Sequence, residues 1–173
     1  QVDNEDQLIG GGAAHGRVGD WVLENEHIRV LIEADDRVMN PCPYGGNILD
    51  VSYKDGPSQD DILGEVCLFI NATQTLDPDT YEVIETENGA AVLAVTGTIQ
   101  LGDYLNIPGM VGGFIPGLSL PFDFNKLLGG TLTIYYILHP GELRVEVVTA
   151  MRNDSDEEFS AVIAHLLMAG GNG

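Results

Sequence analysis

The chain has 173 residues, 27 of them acidic and 7 basic, for a formal net charge of -20. Nucleic-acid phosphates are excluded as partners and anionic membranes disfavoured, because binding to either depends on Lys and Arg meeting negative charge. Hydrophobic content of 44% with 20% charged residues fits one folded domain with a core, not a disordered chain.

Residues 1–17 read as a flexible leader. Gln1 to Asp6 is polar, and Gly10-Gly11-Gly12-Ala13-Ala14 has no periodicity. Gln1 in place of Met points to a processed chain, as after removal of a signal peptide. Residues 18–173 read as a single β-sandwich domain belonging to a longer chain. Trp21-Val22-Leu23 and Ile28 to Glu33 flank Glu24 to His27 as a hairpin, and Ile28, Val30 and Ile32 keep the two-residue period of a strand. Asn47 to Tyr53 is a short strand stopped by Lys54-Asp55-Gly56-Pro57. Residues 62–70 form a continuous apolar stretch suited to a buried strand.

Further along, Tyr81–Thr86 and Ala91–Ile99 flank Asn88-Gly89, which supplies the positive φ of a tight hairpin turn. Thr131–Leu138 and Leu143–Met151 are joined through Pro140-Gly141, a type II turn signature. A last strand covers Phe159–Met168 and runs into Ala169-Gly170-Gly171-Asn172-Gly173, the pattern of an exit into a linker. No segment carries a helical apolar repeat. The expected fold is therefore an all-β antiparallel sandwich. Residues 101–130 interrupt it as a long irregular Gly/Pro-rich apolar loop, which either covers the open end of the sandwich or docks a partner through Ile107, Met110, Phe114, Ile115, Leu118 and Phe122.

The chemistry-bearing residues are sparse. His15, His27, His139 and His165 show no HxH or HExxH spacing, and there is no GxSxG serine motif or phosphate-binding loop. No catalytic constellation is found, so no enzyme activity is expected and no cofactor is required. Carboxylates in turns are the candidate metal ligands: Asp60 and Asp61, Asp77 and Asp79, Asp154 and Asp156. Ca²⁺ suits them, although it takes about six to eight oxygens and a short loop supplies only some. Trp21, Tyr44, Tyr53 and Tyr104 are the candidate ligand-binding aromatics, because sugar faces pack on flat apolar rings. Asn71-Ala72-Thr73 and Asn153-Asp154-Ser155 match the N-glycosylation pattern. Cys42 and Cys67 lie outside any CxxC pattern; one disulfide in an exported protein and two separate buried thiols both remain open. The dispersed acidity fits solubility, a salty medium or divalent-cation binding.

Two stretches carry a resemblance. Thr131 to Val147, including Tyr136-Ile137-Leu138-His139-Pro140-Gly141-Glu142-Leu143-Arg144-Val145, followed by Asn153 to Glu157, resembles the strand–turn–strand of galactose-mutarotase-like β-supersandwich domains. Gly19 to Ile32, Tyr44 to Asp50 and Asp61 to Glu65 look like the N-terminal sandwich modules of large exported bacterial proteins, some of which carry a metal-dependent hydrolase domain further on. The resemblance implies a partial supersandwich and an exported setting. The family's catalytic His and Glu have no match here, since His139 and Glu142 fall in a turn.

The expected role is a non-catalytic, secreted module for binding or assembly at the cell surface, extracellular or periplasmic, with glycans or other protein domains as partners. A structural subunit of a surface assembly and an accessory domain of a metal-dependent hydrolase are the alternatives.

Overall fold

The computed structural model describes residues 1–34, 42–55, 61, 63–102 and 126–169. The architecture is all-β and sandwich-like. Its nine strands are β1 (Trp21–Glu24), β2 (Ile28–Ile32), β3 (Ile48–Tyr53), β4 (Leu63–Ile70), β5 (Gln74–Ile84), β6 (Ala91–Leu101), β7 (Gly130–Leu138), β8 (Glu146–Asn153) and β9 (Ile163–Ala169). A single 3-10 turn, Glu5–Gln7, is the only helical element among the described residues, and no helix there is long and apolar enough to cross a membrane.

Local chemistry sets the hairpins. Asn25 closes β1–β2 by accepting from the amides of His27 and Ile28 at 2.8 and 2.9 Å, so its side chain stands in for a backbone turn. At the β5–β6 turn Gly89 has φ +74°, and Asn88 accepts from the Ala90 amide at 3.2 Å. At the β7–β8 turn Gly141 has φ +76°, the value a type II turn needs at its third residue.

The strands follow each other as an antiparallel meander from β1 to β8, with β9 added beside β4. β4 is where the sheet turns. It pairs with β3 at Ile48–Val66 and with β5 at Ile70–Gln74, while β9 lies along its length from Leu63–Ala169 to Ile70–Ile163. One apolar core results, shared by β1–β4 and β5–β7. Ile28, Val30 and Ile32 meet Leu93, Val95, Leu132, Ile134 and Leu138 there, all nearly inaccessible to solvent.

β5 begins at Gln74, well before the expected Tyr81. Pro78 hid this extension, since proline does not fit a regular ladder. The structure accommodates it at a bulge between Pro78 and Thr80. Gly97 on β6 lies opposite: a Cβ there would overlap the Asp77 carbonyl and come within 2.7 Å of Pro78 Cα. The final strand starts at Ile163, four residues after the expected Phe159.

The first 17 residues, expected as a flexible leader, are fastened down. Val2 and Ile9 are buried with Leu31 and Leu49 in a second small core on the outer face of β2–β3. The Val2 amide donates to the Asp20 carbonyl at 2.7 Å, and the Asp61 amide donates to the Gly10 carbonyl at 2.8 Å. Asp50 accepts from the amides of His15 and Gly16 at 2.8 and 2.7 Å. Two buried aliphatics in a Gly-rich, polar stretch carry this packing, and no run of alternating residues marks them.

Candidate functional site

A cleft of about 320 Å³ opens where the N-terminal segment crosses the ends of β2 and β3. Asp6, Leu8, Ile9 and Gly10 form one wall; Arg29, Ser52, Tyr53 and Lys54 form the other. Strand register assembles the second wall. β2 and β3 pair Arg29 with Ser52 and Ile28 with Tyr53, and directly opposed residues share a face of the sheet. Ile28 anchors its end in the core, whereas Tyr53 is 51% exposed. Alternation along β3 sends Ser52 to the face of Arg29 and Tyr53 to that of Ile28, so the cleft offers a hydroxyl and two cationic side chains beside apolar Leu8 and Ile9, with Tyr53 at its rim.

Its charge is balanced. Glu24 receives Arg29 Nε at 2.9 Å and lies 3.6 Å from Lys54 Nζ. Arg29 Nη1 also donates to the Asp6 carbonyl at 3.2 Å. Two of the seven basic residues of a strongly acidic chain therefore gather here. Arg29 and Glu24 hold each other's geometry, which fixes a planar donor at the rim.

The other expected aromatics sit differently. Trp21 stacks on Tyr81 with ring centroids 5.6 Å apart and packs against the core. Tyr44 is half-buried, and its hydroxyl donates to the Leu101 carbonyl at 3.3 Å. Tyr104 lies outside the described residues, as do the apolar loop residues Ile107, Met110, Phe114, Ile115, Leu118 and Phe122.

The candidate metal ligands are scattered. Asp60 lies outside the described residues. Asp61 is buried, and its carboxylate accepts from the amides of Val51 and Leu63 at 2.8 and 3.2 Å. Asp77 is half-buried in β5 and Asp79 exposed at its bulge. Asp154 accepts from Thr131 and Arg152, and the Arg152 hydrogen bond holds its pKa below the usual carboxylate value. Asp156 is exposed in the same turn. Among the described residues, none of these carboxylates belongs to a cluster of potential ligand atoms; the one such cluster is Cys42, Glu65 and Cys67, all buried, and its two sulfurs are bonded to each other.

Cys42 and Cys67 are joined as a disulfide across 25 residues, with Cα atoms 6.1 Å apart. This resolves the pairing that the sequence left open. Of the two glycosylation sequences, Asn71 is buried, with its amide nitrogen donating to the Ser160 carbonyl at 3.3 Å and its oxygen accepting from the Val162 amide at 2.8 Å. Asn153 is exposed but braces its turn, donating to the Glu157 carbonyl and accepting from Ser155.

The cleft was only partly legible. Tyr53 stands out as an aromatic beside a turn. Arg29 and Lys54 carry no local signal, because strand register and the overlying N-terminal segment bring them together. The fold and cleft define the class: an all-β sandwich-like domain with a small amphipathic cleft on its outer face. No protein-family model matches the chain, and neither a curated protein nor a solved structure does.

Proposed function

We propose that this domain is a non-catalytic module of an exported protein that binds carbohydrate at the cleft between the N-terminal segment and β2–β3. The observation that carries the reading is half-exposed Tyr53 at the rim of the cleft that Arg29, Ser52 and Lys54 line. A sugar presents an apolar face for an aromatic ring and hydroxyls for charged and polar groups at its edge. The Cys42–Cys67 disulfide supports an oxidising compartment, such as the periplasm or the extracellular space. The partial supersandwich resemblance agrees with such a setting.

A glycan array followed by calorimetry tests the reading. Tyr53→Ala should weaken binding by about tenfold, the worth of one aromatic face, with the melting temperature unchanged. An array without hits, with and without Ca²⁺, removes carbohydrate binding.

A second reading, assembly with other subunits, is favoured by β9. Val162 just before β9 and Ile163, Leu166 and Leu167 on it are 41–64% exposed, and among the described residues β9 pairs with β4 alone. An apolar strand with an open edge can pair with another chain. Light scattering that shows a strict monomer at high concentration and in salt argues against it.

A further inference from the structure

Among the described residues three strands have one neighbour each: β1, β8 and β9. Two of these edges are blunted. β1 is four residues long and ends on Glu24, and β8 carries Glu146 and Arg152. Short length and charge are how folded proteins keep sheet edges from pairing with other chains. β9 has neither. Its seven residues, Ile163–Ala169, include no Asp, Glu, Lys, Arg, Pro or Gly.

The hydrogen bonds show which peptide groups β9 turns outward. The Asn71 amide donates to the Val162 carbonyl at 2.9 Å, and the Val162 amide donates to the Asn71 side chain at 2.8 Å, so both backbone groups of Val162 face the β4 side. From there Ile163 to Leu167 pair with Ile70 to Val66 in unbroken register. Residues of an antiparallel strand alternate in the direction of their N–H and C=O. Those of Ile163, His165 and Leu167 therefore point away from β4, and among the described residues no strand meets them. The side chains of the three share one face, on which Ile163 is 41% and Leu167 64% exposed.

We infer that β9 pairs antiparallel with β9 of a second copy of this chain, across a two-fold axis at His165. The inference rests on the second reading above, assembly through β9, and names its partner. In this register His165 opposes His165, and Ile163 opposes Leu167 in both directions. All the outward N–H and C=O groups of the three residues then find partners, and apolar side chains meet apolar ones. A strand that matches itself about its own centre is what a two-fold contact requires. Charge selects the same occupant. Each copy carries -20, yet Phe159 to Ala169 holds no Asp, Glu, Lys or Arg, so two copies meet here without opposing like charges. A basic partner, which the net charge attracts, finds no acid on β9. One strand from each copy is a small contact beside the about 1,200–2,000 Å² of stable complexes, so the dimer is weak and depends on concentration.

The test is sedimentation velocity over a concentration series, with native hydrogen exchange on the same samples. A dimer should appear as concentration rises, and NaCl should strengthen it by screening the repulsion between two acidic bodies. The amides of Ile163, His165 and Leu167 should gain protection with concentration. Leu167→Glu should weaken the dimer by about tenfold or more, because it brings a carboxylate into an apolar pair, with the melting temperature of the monomer unchanged. His165→Cys reads the register. Cys42 and Cys67 are bonded to each other, so the new thiol has only its copy to meet. Opposed residues of an antiparallel pair lie within disulfide reach, so oxidation should cross-link this variant, while Ala164→Cys, which opposes Leu166, should lag. A dimer that ignores Leu167→Glu, or cross-linking no faster at 165 than at 164, overturns the inference. A strict monomer overturns it too. Fast exchange of the three amides in that monomer would leave the edge to a different subunit, and slow exchange would remove assembly through β9 altogether.

Discussion

Asp50 shows how much a single buried carboxylate holds together. It is fully buried on β3 and carries the backbone amides of His15 and Gly16 on its two oxygens. Burial raises its pKa, the two amide bonds oppose that rise, and nearby Asp61 adds to it. Asp50→Ala leaves two donors without their acceptor and should cost about 2 kcal/mol, read as a lower urea midpoint at constant slope. Gly97 makes a different demand, for space. Gly97→Ala drives a methyl into the Asp77–Pro78 backbone at the β5 bulge, so about 2 kcal/mol or more should be lost, as with other overpacked sites. Neither requirement is visible locally. Asn88-Gly89 and Pro140-Gly141 announce their turns within four residues, whereas the partners of Asp50 and Gly97 arrive from other parts of the chain.

At the scale of elements, β9 depends on a clamp made by Asn71. The Asn71 amide donates to the Val162 carbonyl at 2.9 Å, and its side chain holds Ser160 and Val162. Asn71→Ala should raise amide exchange in β9 while β6 and β7 keep their protection, a pattern that native-state hydrogen exchange resolves. A global loss of protection would instead make β9 part of one cooperative unit. His165 adds a pH dependence to the same strand. Partial burial lowers its pKa below 6.5, so folding disfavours the charged imidazole. The contribution is complete above pH 6.5 and is lost as pH falls through the lowered value. Stability measured from pH 7.5 to 5 should fall, and His165→Gln should flatten that slope. The strands themselves were largely readable from alternation and turn chemistry. β5 was shortened by its proline, and the N-terminal segment was missed because Val2 and Ile9 dock on a surface that only the folded β2–β3 pair provides.

For the whole molecule, charge and cross-linking set the response to conditions. With 27 acidic against 7 basic residues, self-repulsion opposes the compact state. Raising NaCl from low to physiological strength shortens the screening length to about 8 Å and should raise the melting temperature. A flat response would mean that the acidic groups are too dispersed for repulsion to matter. The fold class was legible from composition and turn spacing. The cleft was legible only at Tyr53, and the Cys42–Cys67 pairing only as one of two alternatives, because 25 residues separate the cysteines.

The branching at β4 also orders events during synthesis. Hairpins β1–β2, β5–β6 and β7–β8 join neighbours and can close as soon as they emerge. Among the described residues β4 pairs along its length with β9 alone, and Cys67 meets Leu166, 99 positions later. Contacts so distant in sequence form slowly. On a growing chain, β4 therefore waits with one edge bare until nearly a hundred further residues have been made. During that interval a chaperone has a bare, largely apolar strand to grip.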